Sequence, residues 1–161
     1  MKHLLQSGLL VMLLVGPAVG QSSFPSGQLE VQGSMLTQDQ NKANVVAFYN
    51  LSLNDKRPEE AIKRYVSASY VQHNPKAADG PEGVIAYVNL IKDQFPSSHS
   101  EIKKVFADGD FVMMHVHTRR TPDALGLAIA ELFRLENGKI VEHWDVIQPV
   151  PETAANNNTM F

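Results

Sequence analysis

Acids and histidines recur at strand spacing in the C-terminal half of this chain. His143 and Asp145 are two residues apart, as are His115 and His117, and side chains two apart share one face of a β-strand. A carboxylate such as Asp145, near the end of a strand and beside small and apolar neighbours, is partly desolvated. That raises its pKa toward the range useful for moving a proton from carbon. Two imidazoles on one face, with Met113 alongside, can act as an acid/base pair, as donors to an oxyanion, or as metal ligands. His73 and Asn74 form a third group, on a connecting segment set by Pro75. Each group has an ordinary alternative: a solvated strand end or a partner for Arg134 (Asp145), the wet face of an edge strand (His115 and His117), a turn histidine (His73).

The elements that must position these groups follow from the pattern around them. Asn137-Gly138 between two apolar-rich runs predicts a two-residue hairpin turn. Its simplest register sets Leu132 opposite His143, Glu131 opposite Trp144 and Ala130 opposite Asp145. On that register Leu132 lines the same cavity as His143 and Asp145, with Glu131 and Trp144 on the other face. Upstream, Thr37-Gln38-Asp39-Gln40 reads as a capping box ahead of Val45, Phe48 and Tyr49 at helical spacing. Pro58 followed by Glu59 and Glu60 opens a second helix, with Ile62, Tyr65 and Val66 inward. Pro81 opens a third, which Pro96 ends. Four strands are predicted after it, over 101–107, 111–121, 125–135 and 139–148. Helices followed by an antiparallel meander imply an α+β fold with the helices on one face of a bent sheet.

The chain has 161 residues, 14 Lys and Arg against 17 Asp and Glu, and no cysteine. A net charge of −3 without a basic cluster argues against a nucleic-acid partner. The absence of cysteine excludes thiol chemistry and disulfide staples. Lys2 and His3 precede the apolar run Leu9 to Val15, and Ala18-Val19-Gly20 is a small-residue cleavage pattern. This predicts a signal peptide over 1–20, cleaved after Gly20, and a secreted or periplasmic protein with no membrane contact after cleavage. Residues 21–36 read as a flexible leader, 37–150 as one domain, and 151–161 as a C-terminal tail.

Tyr70-Val71-Gln72-His73-Asn74-Pro75 and the run from Phe133 to Asp145 resemble the SnoaL-like polyketide-cyclase group, within the NTF2-like cone-shaped α+β fold. The tail Asn156-Asn157-Asn158-Thr159-Met160-Phe161 is similar to a branch of SnoaL-like aldol-condensation enzymes. The resemblance implies three helices on a strongly bent, mostly antiparallel sheet, and a pocket aspartate that works as general acid/base without a metal, matched here by Asp145. Around Gly138-Lys139-Ile140 the chain also resembles limonene-epoxide hydrolase. The Arg-x-Asp pair of that enzyme is replaced by His115-Val116-His117, which speaks against epoxide hydrolysis.

The resulting expectation is acid/base catalysis on a carbonyl-type small molecule, without cofactor. Asp145 would move a proton next to the carbonyl, His115 and His117 would hold the developing oxyanion, and His73 would orient substrate or relay the proton. His143, Asn74, Met113 and Leu132 would contact substrate. Two alternatives stand beside it: a binding module that does no chemistry, and a metal site built by His115, His117 and Asp145. Trp144, Glu131 and Phe133 on the face away from the pocket point to a homodimer.

Overall fold

The computed structural model describes residues 26–161, with side chains from residue 37 onward, so the predicted signal peptide and the first part of the leader lie outside the described residues. Helix α1 runs Ser26–Tyr49, beginning inside the segment expected as leader, and continues into a π-helical turn over Asn50–Asn54. Asn54 clamps that turn to the sheet, donating to the Ser100 carbonyl at 2.9 Å and accepting from the Ser100 N–H at 2.8 Å. Helix α2 spans Pro58–Tyr65 and α3 Gly80–Gln94, both with proline in the first turn as predicted. No helix among the described residues is long and apolar enough to cross a membrane.

The strands are β1 (Val66–Gln72), β2 (His99–Asp108), β3 (Phe111–Arg119), β4 (Leu127–Glu136) and β5 (Lys139–Pro149). They form one sheet in the order β1-β5-β4-β3-β2, antiparallel except where β1 runs parallel to β5. Strand β1 was not expected. Val66 caps α2 in an extended conformation instead of continuing it, and the chain leaves directly as an edge strand. The α+β reading holds: three helices cover one face of a curled, open, mixed sheet.

The hairpin turn also forms as predicted, with positive φ at both Asn137 (50°) and Gly138 (74°). Asn44 of α1 donates to the Gly138 carbonyl at 2.8 Å and ties the turn to the helical layer. The register beyond the turn differs from the expected one. Leu135 pairs with Ile140, but Arg134 pairs with Glu142, so Val141 is an extra residue in β5. This β-bulge moves every later pair by one position: Phe133 faces His143, Leu132 faces Trp144, and Glu131 faces Asp145.

The core lies between the sheet's helix-covered face and the helices. It contains Val45, Phe48 and Tyr49 of α1, Val84 and Val88 of α3, Val112, Met114 and Val116 of β3, and Ile129, Phe133 and Leu135 of β4. Alternation in β3 therefore sends Met113, His115 and His117 to the opposite, outer face.

Candidate active site

Where the helices fail to cover the sheet's inner face completely, a cleft remains. Its walls are mostly apolar and aromatic, with Phe48, Tyr49, Tyr70, Tyr87, Val84 and Phe133 among them. The polar groups converge on one side: Gln72, Asn74, Glu131, His143 and Asp145. An apolar cleft with few, closely placed polar groups is the usual form of a small-molecule site.

Asp145 belongs to this cleft, as expected. Asn74 Nδ2 donates to its Oδ2 at 2.5 Å. Partial burial raises its carboxyl above the ordinary aspartate value, and the Glu131 carboxyl across the strand pair adds to that rise; His143, Asn74 and Lys76 pull the other way. Asn74 is held in turn by its neighbours: its N–H donates to Gln72 Oε1 at 2.9 Å and its Oδ1 accepts from the Lys76 N–H at 2.8 Å. The loop that carries it is fixed at its far end by Asp79, which accepts from the Gln72 N–H at 2.9 Å.

His143 is also in the cleft, inside a buried chain of hydrogen bonds. Its Nδ1 lies 2.9 Å from Gln72 Oε1, and its Nε2 lies 2.7 Å from Glu131 Oε2. Tyr49 Oη donates to Glu131 Oε1 at 2.7 Å. Burial, then the Glu131 charge, holds the Tyr49 phenol well above its ordinary pKa, so it remains a donor. The Tyr70 phenol is raised in the same way, by burial and by the Glu131 and Asp145 charges. Glu131, His143 and Asp145 each place an oxygen or nitrogen within 4.8 Å of the others, close enough to share a proton network or to hold a cation.

The other expected site residues lie elsewhere. His117 is buried on the outer face, where its Nε2 donates to the Leu125 carbonyl at 2.8 Å and its ring stacks on Phe161 at 4.2 Å. His115 stacks on the same ring at 5.4 Å. The sheet itself separates both from Asp145, so the oxyanion role and the three-residue metal site expected from them have no geometric basis. A polar face on β3 is where a wet cavity is expected from the sequence. In this fold cavity and core share the apolar face, and the polar pair packs under the C-terminal tail. His73 is likewise outside, stacked on Trp144 at 4.6 Å and 2.9 Å from Glu142 Oε1. Met113 and Leu132 pair with each other on the outer face, Leu132 having been displaced there by the bulge. Arg134 engages Glu142 and Glu136 and does not reach Asp145.

Glu131 is the main residue that sequence reasoning misplaced. Its signal was present: Ile129, Phe133 and Leu135 occupy alternate positions around it, so a lone glutamate sits in an otherwise apolar stripe. Gln72, Tyr70 and Tyr49 were hidden for other reasons, since β1 was unexpected and Tyr49 looks like any helix-stripe aromatic.

A family model for the SnoaL-like polyketide cyclase matches residues 43–154. No functionally curated protein matches the chain. Among solved structures, a candidate polyketide cyclase from Bacillus cereus ATCC 10987 superposes with a TM-score of 0.60 at 22% identity, over 67% of this chain and 74% of that one. A candidate SnoaL-like polyketide cyclase from Jannaschia sp. CCS1 gives 0.59 at 17% identity, over 80% and 91%. AclR, a candidate hydroxylase from Streptomyces galilaeus, gives 0.58 at 21%, over 69% and 90%. These identities establish a shared fold, and the diversity of the named activities shows that the fold alone does not set the reaction. The family match over most of the chain, together with the helix-covered curled sheet and its cleft, places this protein in the SnoaL-like polyketide cyclase family.

Proposed function

We propose that the cleft is a catalytic site for acid/base chemistry on a small carbonyl compound: aldol cyclisation, isomerisation or a lyase-type step. The observation that carries this is Asp145, a half-buried carboxylate raised above its ordinary pKa and aimed by Asn74 in an otherwise apolar cleft. Such a base takes a proton from the carbon next to a carbonyl and returns it after the substrate has rearranged. The apolar wall excludes water and strengthens charge interactions within the cleft.

Hydrogen–deuterium exchange at the α-carbon of a panel of enolisable ketones tests this. Wild-type protein should accelerate exchange for some of them, and Asp145→Asn should lose about 10²–10⁴-fold of that acceleration. Equal exchange by both proteins would rule Asp145 out as the base. A compound bound tightly and released unchanged, with no exchange, would favour a binding module.

Two further expectations belong with this reading. The protein is exported after cleavage behind Gly20, which N-terminal sequencing of the exported protein would check. It also pairs with a second copy through the outer sheet face, where Phe106, Phe111, Met113 and Val146 are exposed around Trp144. Sedimentation of wild type against Val146→Glu measures that.

A further inference from the structure

Glu131 and His143 are buried polar groups to which the chemistry above gives no task. Their hydrogen bonds dictate where a proton sits. The Asn74 N–H donates to Gln72 Oε1, which fixes the oxygen end of that amide, and the Nε2 end donates to Tyr70 Oη at 2.9 Å. His143 Nδ1 approaches the same amide oxygen, so Nδ1 carries a hydrogen. In a neutral ring the other nitrogen, Nε2, then offers only a lone pair. It faces Glu131 Oε2 at 2.7 Å, and a carboxylate oxygen is also only an acceptor. Two acceptors at that distance repel each other in a buried place, so at rest the pair is held together by a proton between them. Tyr49 already donates to the second carboxyl oxygen, so the pair holds one shared proton and no net charge.

Asp145 stands directly across the strand pair from Glu131. Tyr49 of α1, Tyr87 of α3, Tyr70 and Gln72 of β1, and Asn74 with Lys76 in the following loop face the same group. A ligand seated against Asp145 therefore also meets the pair that holds the proton, each member of which places a polar atom within 4.8 Å of the Asp145 carboxylate.

We propose that the Glu131–His143 pair donates its proton to the carbonyl oxygen of the ligand whose α-carbon Asp145 deprotonates. This rests on the carbonyl reading of the site. The C–H bond breaks, its proton goes to the Asp145 carboxylate, and its electrons form the C=C bond of an enol. The carbonyl oxygen takes the shared proton and leaves Glu131 as carboxylate beside neutral His143. The charge of the site is the same before and after, so no isolated enolate has to form in the apolar cleft. Return of the two protons resets both groups.

The test uses the full chain and cyclohexanone labelled with ¹³C at the carbonyl. In wild type and in Asp145→Asn the bound carbonyl resonance should move downfield, the mark of an accepted hydrogen bond. In Glu131→Gln, glutamine can still accept from Tyr49 and donate to His143 Nε2, but it holds no acidic proton. That variant should lose the downfield shift and slow α-exchange, whereas Asp145→Asn should lose exchange and keep the shift. A bound ketone with the same shift in wild type and Glu131→Gln would overturn the proposal alone. Failure of wild type to bind this ketone or any other member of the panel would overturn it together with the carbonyl reading. A shift without exchange in wild type would sink the catalytic reading and this proposal with it, leaving a hydrogen-bonded binding site. An ¹⁵N spectrum of wild-type protein showing His143 Nδ1 without a hydrogen would also overturn it, whether or not the variants fold.

Discussion

Removing the Tyr49 hydroxyl should cost more when residue 131 is an acid than when it is an amide. Tyr49 is almost fully buried, and phenylalanine keeps its ring packing, so Tyr49→Phe deletes mainly the 2.7 Å bond to Glu131 Oε1. The neighbouring hydroxyls of Ser100 and Thr118 keep their own 2.7 Å bond to each other and are not orphaned. A bond to an ionised group contributes about 1.5–3 kcal/mol, and a neutral one about 1 kcal/mol. Tyr49→Phe should therefore lower unfolding free energy by about 1.5–3 kcal/mol in wild type and about 1 kcal/mol in a Glu131→Gln background. The double-mutant cycle then closes with a coupling of about 0.5–2 kcal/mol. Urea unfolding at neutral pH reads all four proteins, and an unchanged m-value shows that only stability has moved. Equal costs in the two backgrounds, within about 0.3 kcal/mol, would mean that Glu131 is not a charged acceptor and that the shared proton rests on its carboxyl instead of on His143.

His115→Ala should leave α-exchange unchanged, because its ring lies across the sheet from Asp145 and stacks on Phe161; a loss matching that of Asp145→Asn would contradict the separation of the two faces. Gly83→Ala should destabilise by about 1–3 kcal/mol, since its Cβ would stand 2.0 Å from the Ala78 carbonyl oxygen and 2.5 Å from its carbon, forcing backbone of the loop beside Ala77 to move. Thermal unfolding measures the loss, and an unaltered midpoint would show that the loop yields freely. The raised carboxyl of Asp145 also fixes the sign of a pH effect. Between the ordinary aspartate value and the raised one the folded protein binds more protons than the unfolded chain, so this group's contribution to stability falls as pH rises through the folded value. Asp145→Asn should consequently gain on wild type from acid to neutral pH, with no gain below the ordinary aspartate range. A constant difference across that span, followed by unfolding at several pH values, would deny the raised carboxyl.

Much of the architecture could be inferred because local signals and global fold agree. Prolines open α2 and α3, Asn137-Gly138 supplies the positive φ values of the hairpin, and Met114-His115-Val116-His117 of β3 alternates between apolar and polar residues. Strand β1 was concealed because it follows α2 without an intervening turn residue, so Tyr65 and Val66 continue the apolar stripe of the helix on paper. Only pairing with β5, a contact between distant parts of the chain, makes that segment a strand.

The site was less legible, for one local reason and one global reason. The local one is Val141. A bulge adds a residue to one strand without a mandatory sequence mark, and here both Ile140 and Val141 are buried, so apolar content gives no clue to which is extra. Its effect is large, because a slip of one residue exchanges the faces of all cross-strand partners. It brings Glu131 beside His143 and Asp145 and sends Leu132 out with Trp144. The global reason concerns which face a cavity uses. A polar pair on an alternating strand suggests a wet pocket, but in a sheet covered by helices on one side the cavity is a gap in the core. Its polar groups are then isolated intruders in an apolar stripe, and each must be satisfied by others of the same kind. Glu131 has that form: its partners arrive from α1 and β5, and His143 is held in turn by Gln72 of β1. Assembling them needs the helical layer, the parallel edge strand and the bulge together. The chemistry of the cleft is thus a property of the tertiary pairing, and only Asp145, His143 and Asn74 could be named before that pairing was known.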